Sequence, residues 1–256
     1  MPADEPRLYP LDARSLTARF LTLYERLLLA GRSGSGKSTL AANLADTHLA
    51  RHDTPVYLLD ADPGTPAVGP PGAISLAERI DGSWEIASLA ALTTLDAGRF
   101  RLPIVTTADL LIQENPGVLL VDTPGLHRGV PATELIPGLA RVTDTGTALI
   151  MGSGDDELAI ADALVACGCA AAHVAPSEQA TRSSLERRAT ERTRRWNDYL
   201  ADAEETTIPL ADLQVTGAHP PLDAREAWPG RQVGLLDDSG ETLAMGEVVS
   251  LVFFSS

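Results

Sequence analysis

The octad from Gly31 to Ser38, GRSGSGKS, limits the possible folds more than any other part of this sequence. It fits the pattern G-x-x-x-x-G-K-[ST] at every fixed position. Four apolar residues, Leu27 to Ala30, precede it, and a segment with helical periodicity follows. The apolar stripe of that segment consists of Leu40, Ala41, Leu44, Ala45 and Leu49. A strand, a glycine-rich turn and a helix in this order predict a phosphate-binding loop at a helix N-terminus.

The octad contains Lys37, the only lysine among twenty basic residues, so the other nineteen are arginines. A compact ammonium group fits a concave loop and reaches the β- and γ-phosphates, whereas a planar guanidinium is too bulky. Ser38 is expected to ligate Mg²⁺. We therefore predict that ATP, or another nucleoside triphosphate, binds here with Mg²⁺. The residues assigned to the nucleotide are Gly31, Ser33, Gly34, Ser35, Gly36, Lys37, Ser38 and Thr39.

Beyond the octad, apolar strand-like runs alternate with helical patterns. The runs are Val56 to Asp60, Val118 to Asp122, Ala148 to Met151 and Ala171 to Ala175, and the helical patterns cover 105–114, 131–142, 155–166 and 177–200. Such alternation is typical of a mostly parallel sheet covered by helices on both faces. The predicted fold class is therefore α/β, a P-loop NTPase domain over residues 27–206.

The two ends of the chain differ from this pattern. Residues 1–26 are predicted to form an N-terminal extension with a helix from Leu11 to Tyr24. Residues 207–256 are predicted to form a small β-rich segment, either an appendage or an extension of the sheet edge. Its strand-like pieces are ADLQVTG, RQVGLLD and ETLAMGEVVSLVFF, which Gly, Pro and Asp turns separate.

Aspartates follow two of the predicted strands. Asp60 and Asp62 come at the end of one strand, and Asp122 ends another. Ligands of open α/β sheets bind beyond the carboxyl ends of the strands. Asp62 and Asp122 are therefore candidates to hold Mg²⁺ with Ser38, or to take a proton from an attacking hydroxyl. Aspartate also opens turns, and Asp60 could simply brace the following loop.

Two further segments bear on the reaction. Residues 64–76, GTPAVGPPGAISL, are either a rigid wall for an acceptor or an ordinary connector. The segment from Arg182 to Arg195 contains six arginines and two glutamates. The alternatives are a solvated helix face with Glu–Arg pairs and a lid whose arginines neutralise a moving phosphoryl group, and we favour the lid.

Bulk properties exclude some classes of function. The formal net charge of −15 argues against a general nucleic-acid-coating surface but not against a local basic channel. The chain has no apolar run long enough for a membrane helix, and its first ten residues do not resemble a signal peptide. Cys167 and Cys169 are interpreted as buried structural thiols. We expect a cytoplasmic protein, and the sequence makes no prediction of its oligomeric state.

The motif series resembles the polynucleotide 5′-hydroxyl kinase family, which includes the kinase subunit of the pre-mRNA 3′-end cleavage factor and pre-rRNA processing kinases. The family pattern is a P-loop, D-x-G-Q with P-P-G, a T-x-G-W clasp and an arginine-bearing lid. The matching stretches are Gly31 to Thr39, Asp62 to Thr65 with Pro70 to Gly72, Thr123 to Leu126, and the arginines from Arg182 onward. Thr65 stands where the family has glutamine, and Leu126 stands where it has the clasp tryptophan.

The resemblance implies transfer of the γ-phosphate of a nucleoside triphosphate to the 5′-OH end of RNA or DNA. The implied catalytic residues are Lys37, Asp62, Asp122, Arg188 and Arg192. The implied acceptor residues are Asp62, Thr65, Pro70, Pro71, Gly72, Thr123, Gly125 and Leu126. The N-terminal β domain of eukaryotic members has no counterpart in residues 1–26, which suggests a minimal, prokaryotic-type version.

Three rival functions fit the same residues. The first is a nucleotide-driven ATPase or GTPase switch whose acceptor is water, although the chain has no N-K-x-D type guanine reader. The second is a kinase of a nucleoside or small metabolite. The third is a catalytically idle binding module, which the Thr65 and Leu126 departures suggest.

Overall fold

One large sheet organises the residues that the computed structural model describes, namely 8–10, 12–21, 26–112, 117–176 and 184–252. Within those residues it contains eight strands. They are β1 (Leu8–Tyr9), β2 (Arg26–Ala30), β3 (Val56–Asp60), β4 (Ala73–Ile80), β5 (Ser83–Ala91), β6 (Val118–Asp122), β7 (Thr147–Met151) and β8 (Ala170–Val174). The spatial order is β1-β8-β7-β2-β6-β3-β4-β5. In this spatial order, each neighbouring pair between β1 and β3 is parallel, and the two remaining pairs, β3–β4 and β4–β5, are antiparallel.

Helices cover both faces of this sheet. They are α1 (Ala13–Leu16, continued by a π-helical turn over Thr17–Leu21), α2 (Lys37–Leu49), α3 (Arg101–Leu111), α4 (Gly129–Val142), α5 (Asp155–Ala166) and α6 (Leu185–Tyr199). Alternate residues of β2 enter two different cores. Leu28 packs with the apolar faces of α3, α4 and α5, whereas Leu27 and Leu29 pack with α1 and α2. Because both sheet faces are buried, the central strands are continuous apolar runs.

The predicted α/β fold with a mostly parallel sheet is confirmed. The strand predicted from Ala148 begins one residue earlier, and the one predicted over Ala171 to Ala175 is shifted by one. The helix predicted over 105–114 begins at Arg101, and that predicted over 131–142 begins at Gly129. Residues 113–114 and 177–183, parts of two predicted helices, lie outside the described residues.

The sequence analysis missed the antiparallel hairpin β4–β5. Residues 64–76 were predicted to be one loop, but β4 begins at Ala73. The hairpin turn is Asp81-Gly82, whose φ angles are 48° and 78°. Such left-handed angles at both central residues are typical of the two-residue turns that join antiparallel strands. The hairpin extends the sheet beyond β3, next to the strand end that carries Asp60.

Both chain ends depart from the predictions as well. In the N-terminal extension, Leu8–Tyr9 adds a parallel edge strand, and the described helical residues, Ala13–Leu21, lie within the helix predicted from Leu11 to Tyr24. Residue 11 and residues 22–25 lie outside the described part. ADLQVTG, residues 211–217, was predicted to be strand-like, but it forms no strand and begins within a 3₁₀ turn at Leu210–Asp212.

The C-terminal segment forms a hairpin of its own. Its strands are β9 (Gln232–Leu236) and β10 (Thr242–Glu247), which pair antiparallel. The hairpin is an appendage on the edge strand β5, where Ala91 N donates to Thr242 Oγ1 at 3.0 Å. The domain bounds at residues 26 and 206 stay predictions.

The prediction that both cysteines are buried is wrong for Cys167. Only Cys169 is buried, whereas Cys167 is exposed at the end of α5. Among the described residues, no helix combines the length and apolar character that crossing a bilayer requires.

Candidate functional site

The predicted phosphate-binding loop joins β2 to α2. Gly31, Gly34 and Gly36 have φ angles of 142°, 78° and 97°, values that L side chains rarely adopt. Gly36 is the N-cap of α2 and provides no side-chain cap, so the first backbone N–H groups of the helix stay open to a ligand. A loop of this shape at a helix N-terminus favours anionic groups.

Lys37 folds back over this loop. Its Nζ donates to Gly31 O at 3.1 Å, and the residue is 7% exposed. In this position the ammonium group sits beside the loop that would hold the phosphates. Of the predicted nucleotide residues, Ser33, Gly34, Lys37 and Ser38 line one cleft, whereas Gly31, Ser35, Gly36 and Thr39 do not. Ser35 is buried, and Thr39 is exposed.

Asp122 reaches the same place from β6. It accepts a hydrogen bond from Ser38 Oγ at 2.5 Å through Oδ2. Its Oδ1 is buried and has no hydrogen-bond partner among the described residues. Burial raises the pKa of Asp122, and Lys37 partly offsets this effect. An orphaned carboxylate oxygen beside a serine hydroxyl is a donor set that suits Mg²⁺.

A nucleotide-bound Mg²⁺ uses one or two carboxylates together with phosphate oxygens and water. The absence of any cluster of three or more His, Cys, Asp or Glu ligands in the described part of the chain is therefore consistent with such an ion. The residues present fit the predicted metal, with Ser38 and Asp122 placed to hold it.

Asp60 braces the loop that follows β3. It pairs in register with Asp122 across β3 and β6. Its side chain accepts from the backbone N–H groups of Asp62, Ala67 and Val68. Burial, and then the neighbouring Asp122 carboxylate, raises the pKa of Asp60 well above its usual range. Since Asp60 does not line the cleft, it acts as a structural group here.

Asp62 and Thr65 line the same cleft as the phosphate-binding loop. Asp62 Oδ1 accepts from Gly64 N at 2.9 Å and from Thr65 N at 3.1 Å. Its Oδ2 accepts from Thr65 Oγ1 at 2.9 Å. These bonds fix the carboxylate at the cleft surface, and Thr65 lines the cleft beside it.

The segment Thr123 to Leu126 follows β6. Thr123 donates to Leu29 O through both its N–H and its Oγ1, and it lines the cleft. Gly125 touches the phosphate-binding loop, because a Cβ on it would lie 2.7 Å from Ser33 Cβ and from Ser33 N. Leu126 packs against the apolar core instead of lining the cleft, so its predicted contact with an acceptor is not seen.

The predicted acceptor wall, Pro70 to Gly72, does not reach the cleft either. The three residues are buried. Gly72 N donates to Pro63 O at 2.9 Å, and Gly72 O accepts from Leu92 N and Thr93 N. The prolines and Gly72 therefore form the base of a closed loop, residues 63–72, whose first residue follows Asp62.

The arginine helix α6 contributes residues to the lining of the cleft. Arg187 and Arg188 line it, and Arg188 Nε is buried without a hydrogen-bond partner among the described residues. Arg192 does not line it, which separates two residues that were predicted to act together. Arg182 lies outside the described residues.

Other arginines of α6 are structural. Arg194 and Arg195 both pair with Glu191, at 2.6 Å and 3.1 Å, and the hydrogen bond from Arg194 lowers the pKa of Glu191. Arg195 also donates to Ala67 O at 2.8 Å, which joins the helix to the loop after Asp62. Glu–Arg pairing, the alternative to a lid, thus accounts for two of the six arginines.

Together these elements enclose a cleft of about 430 Å³. Its lining brings three positive side chains close to three carboxylates. The lining residues are Ser33, Gly34, Lys37, Ser38, Asp62, Thr65, Asp122, Thr123, Arg187, Arg188 and Glu191. A cleft with a phosphate-binding loop, a magnesium-type donor pair and a fixed carboxylate has the groups that phosphoryl transfer requires.

Residues 31–88 match the family described as mRNA cleavage and polyadenylation factor CLP1 P-loop. The phosphate-binding loop of this chain is thus similar to the P-loop of CLP1 proteins, and it is CLP1-type in that sense.

Solved structures extend the likeness beyond the CLP1-type P-loop. A Clp1p–Pcf11p complex is 12% identical with a TM-score of 0.63, over 73% of this chain and 53% of that one. A second Clp1p–Pcf11p structure, which addresses ATP loss in a point mutant, is also 12% identical. Its TM-score is 0.57, over 77% of this chain and 55% of that one. The chain thus spans about half the length of these Clp1p chains. No curated protein matches its sequence.

The comparisons support a P-loop, kinase-like fold in which the CLP1-type loop binds a nucleotide. The roles of individual site residues stay predictions. Sequence reasoning missed Arg187 and Glu191, which line the cleft beside Arg188. The signal was available, because residues 187, 188 and 191 adjoin on a helix of 3.6 residues per turn.

Proposed function

We propose that the chain is an ATP-dependent polynucleotide 5′-hydroxyl kinase. The observation that carries the proposal is the shared cleft, which the phosphate-binding loop, Asp62 and Arg188 line together. This arrangement lets a triphosphate and a hydroxyl acceptor meet beside a carboxylate, and positioning of this kind supplies a large part of the catalysis of phosphoryl transfer.

The donor side would be held by the CLP1-type loop. The backbone N–H groups of residues 31–36 would surround the phosphates, and Lys37 would contact the β- and γ-phosphates. Ser38 and Asp122 would hold Mg²⁺, whose chemical contribution is to neutralise charge on the phosphate oxygens. Arg188, with its Nε buried in the cleft and unpaired, would stabilise the charge on the transferring phosphoryl group.

Asp62 would act as the general base. The acceptor 5′-hydroxyl oxygen attacks the γ-phosphorus, the bond from that phosphorus to the bridging oxygen breaks, and ADP leaves. The hydroxyl proton passes to Asp62. The turn that fixes Asp62, through Gly64 N and both donors of Thr65, keeps the carboxylate in place without a movement of the chain.

A polynucleotide end is favoured as acceptor by the motif resemblance and by the cationic side of the cleft. Arg187 and Arg188 line the cleft and, like Arg192 outside it, have no salt bridge among the described residues, whereas Arg194 and Arg195 do. Unpaired arginines on α6 can bind the phosphodiesters next to the reacting end. Since only one end of a strand would be held, the net charge of −15 is no obstacle.

The test uses ATP labelled on its γ-phosphate with three acceptors: a 5′-hydroxyl oligonucleotide, a nucleoside, and water alone. Label on the oligonucleotide end supports the proposal. Release of free phosphate alone would identify an ATPase, and label on the nucleoside alone would identify a small-molecule kinase. The 12% identity to Clp1p shows the fold only, so this assay decides the reaction.

Asp62→Asn tests the base assignment. Asparagine keeps one carbonyl oxygen for Gly64 N and Thr65 N, so the turn should survive while the proton acceptor is lost. We expect kcat to fall about 10²- to 10⁴-fold with little change in ATP affinity. Asp109→Asn, at an exposed position of α3, is the matched control. Full turnover by Asp62→Asn would refute the role of Asp62.

A further inference from the structure

The C-terminal hairpin contacts two walls of the cleft, although none of its residues lines it. The first contact is with the loop of residues 63–72. Gln232, the first residue of β9, donates from Nε2 to Pro71 O at 2.6 Å. The contact is tight, because a Cβ on Gly72 would lie only 2.1 Å from Gln232 Oε1. Pro71 is buried, so its carbonyl depends on this amide rather than on bulk water.

The second contact is with the arginine helix. Glu247, at the end of β10, accepts from Trp196 Nε1 at 3.0 Å. Met245 N donates to Tyr199 Oη at 3.1 Å, and Trp196 and Tyr199 stack with ring centroids 5.8 Å apart. α6 buries none of its own residues, so these contacts and the Arg195–Ala67 bond account for much of its attachment.

The loop of residues 63–72 determines where Asp62 lies. Its two ends are joined by the bond from Gly72 N to Pro63 O, and its base is fixed to the two residues that follow β5 through Leu92 N and Thr93 N. Asp60 fixes the middle of the loop at Ala67 and Val68. Gln232 is the group that joins the base of this loop to the hairpin, which in turn holds α6.

We propose that Gln232 is a positioning residue for the acceptor. It holds the 63–72 loop, and with it Asp62, at a fixed distance from Arg188 on α6. The inference rests on the function proposed above, since it assigns Asp62 to the acceptor side of the cleft. Gln232 touches neither the cleft nor its contents, so it acts through Pro71 and Gly72 alone.

The experiment compares Gln232→Met with the wild-type chain. Methionine matches glutamine in length and lacks the donor, so packing against Gly72 is retained while the bond to Pro71 O is lost. Gln214→Ala is the control, because Gln214 is exposed and lies outside the hairpin. The first readout is amide hydrogen exchange at Gly72, Leu92 and Thr93, the three N–H groups that close and fix the loop.

We expect exchange at these amides to rise about threefold to tenfold in Gln232→Met, the effect of losing one neutral hydrogen bond, and not in Gln214→Ala. The second readout is steady-state kinetics. The KM for the oligonucleotide should rise by a similar factor, while the KM for ATP stays at its wild-type value and the Tm falls by only about 2–4 °C, the effect of one lost hydrogen bond on global stability. A general loss of folding would instead move all of these quantities together.

Two results would overturn the inference. Unchanged exchange at the three amides would show that Gln232 does not hold the loop. Raised exchange with an unchanged oligonucleotide KM would show that the loop does not position the acceptor. If the wild-type chain phosphorylated no oligonucleotide, the proposed function would fail, and exchange alone would still decide whether Gln232 holds the loop.

Discussion

Gly125→Ala tests whether the turn after β6 supports the nucleotide loop. The backbone of Gly125 does not lie in the left-handed region, so alanine is tolerated there by the chain itself. The obstacle is steric. The new Cβ would meet Ser33 Cβ and Ser33 N at 2.7 Å and Ser33 Cα at 2.8 Å. Two of these three atoms belong to the backbone of the phosphate-binding loop, which cannot rotate away as a side chain can.

An ordinary contact needs about 3.4 Å, so the loop or the turn must move by about 0.7 Å. Overpacking of this kind typically destabilises by about 1–3 kcal/mol. If the strain falls on the loop, ATP should bind about 5- to 150-fold more weakly. The displaced N–H groups of residues 33 and 34 are those that would face the phosphates.

Calorimetric titration with Mg²⁺-ATP measures this effect, with thermal unfolding as the check on folding. Gly246→Ala is the matched control, because Gly246 has an ordinary backbone conformation and nothing within 4 Å of an added Cβ. Wild-type affinity in Gly125→Ala, together with an unchanged Tm, would refute the claim that the turn and the loop are in tight contact.

Three other predictions concern separate parts of the molecule. Arg188→Ala should lower kcat about 10²-fold or more, whereas Arg192→Ala should change it by less than about threefold, and equal losses in the kinase assay would contradict the placement of Arg192 outside the cleft. Burial lowers the pKa of His48 below its usual value of 6.5, so the unfolded chain binds the proton more readily than the folded one. Urea unfolding should therefore show that the free energy of unfolding falls as the pH drops below about 6.5, and His48→Leu should remove this part of the pH dependence. Cys167 is exposed and should react with iodoacetamide at pH 8, whereas Cys169 should not, because burial raises the pKa of the Cys169 thiol to about 11. Mass spectrometry of the treated Cys167→Ser variant should therefore find no label.

The sheet and the meeting point of its strand ends could be predicted because the information is local. β3 and β6 are continuous apolar runs that each end in an aspartate, Asp60 and Asp122. Parallel strands place such ends at one edge of a sheet. Their register pairs the two aspartates directly, and the glycine octad supplies the loop beside them.

The β4–β5 hairpin shows where the sequence interpretation failed. Proline and glycine dominate residues 63–72, a composition typical of a loop, and the predicted loop extended to residue 76, past the start of the strand at Ala73. The Asp81-Gly82 turn was a usable signal that the sequence analysis did not weigh. By contrast, the burial of Pro70 and Pro71 behind the cleft depends on contacts with the distant Gln232, which no local pattern reports.

The arginine helix illustrates a different limit. A spacing of four residues puts Arg188 and Arg192 on one face of a helix, but a side chain as long as arginine can contact neighbours in several directions. Arg195 reaches Ala67 O, and Glu191 binds Arg194 and Arg195 at once. Which arginines remain for a ligand is settled by such competing pairs, and the sequence does not rank them.

Lys37 gives this chain an unusual analytical property. Lys37 carries the only side-chain amine, which is buried against Gly31 O beside the phosphate-binding loop. An acylating reagent therefore has one internal target, whose modification requires the ammonium group to leave the carbonyl and lose its proton. The rate of acylation then measures how often the phosphate-binding loop opens. Protection of Lys37 by added nucleotide would measure how much of the protein has nucleotide bound, without an engineered label.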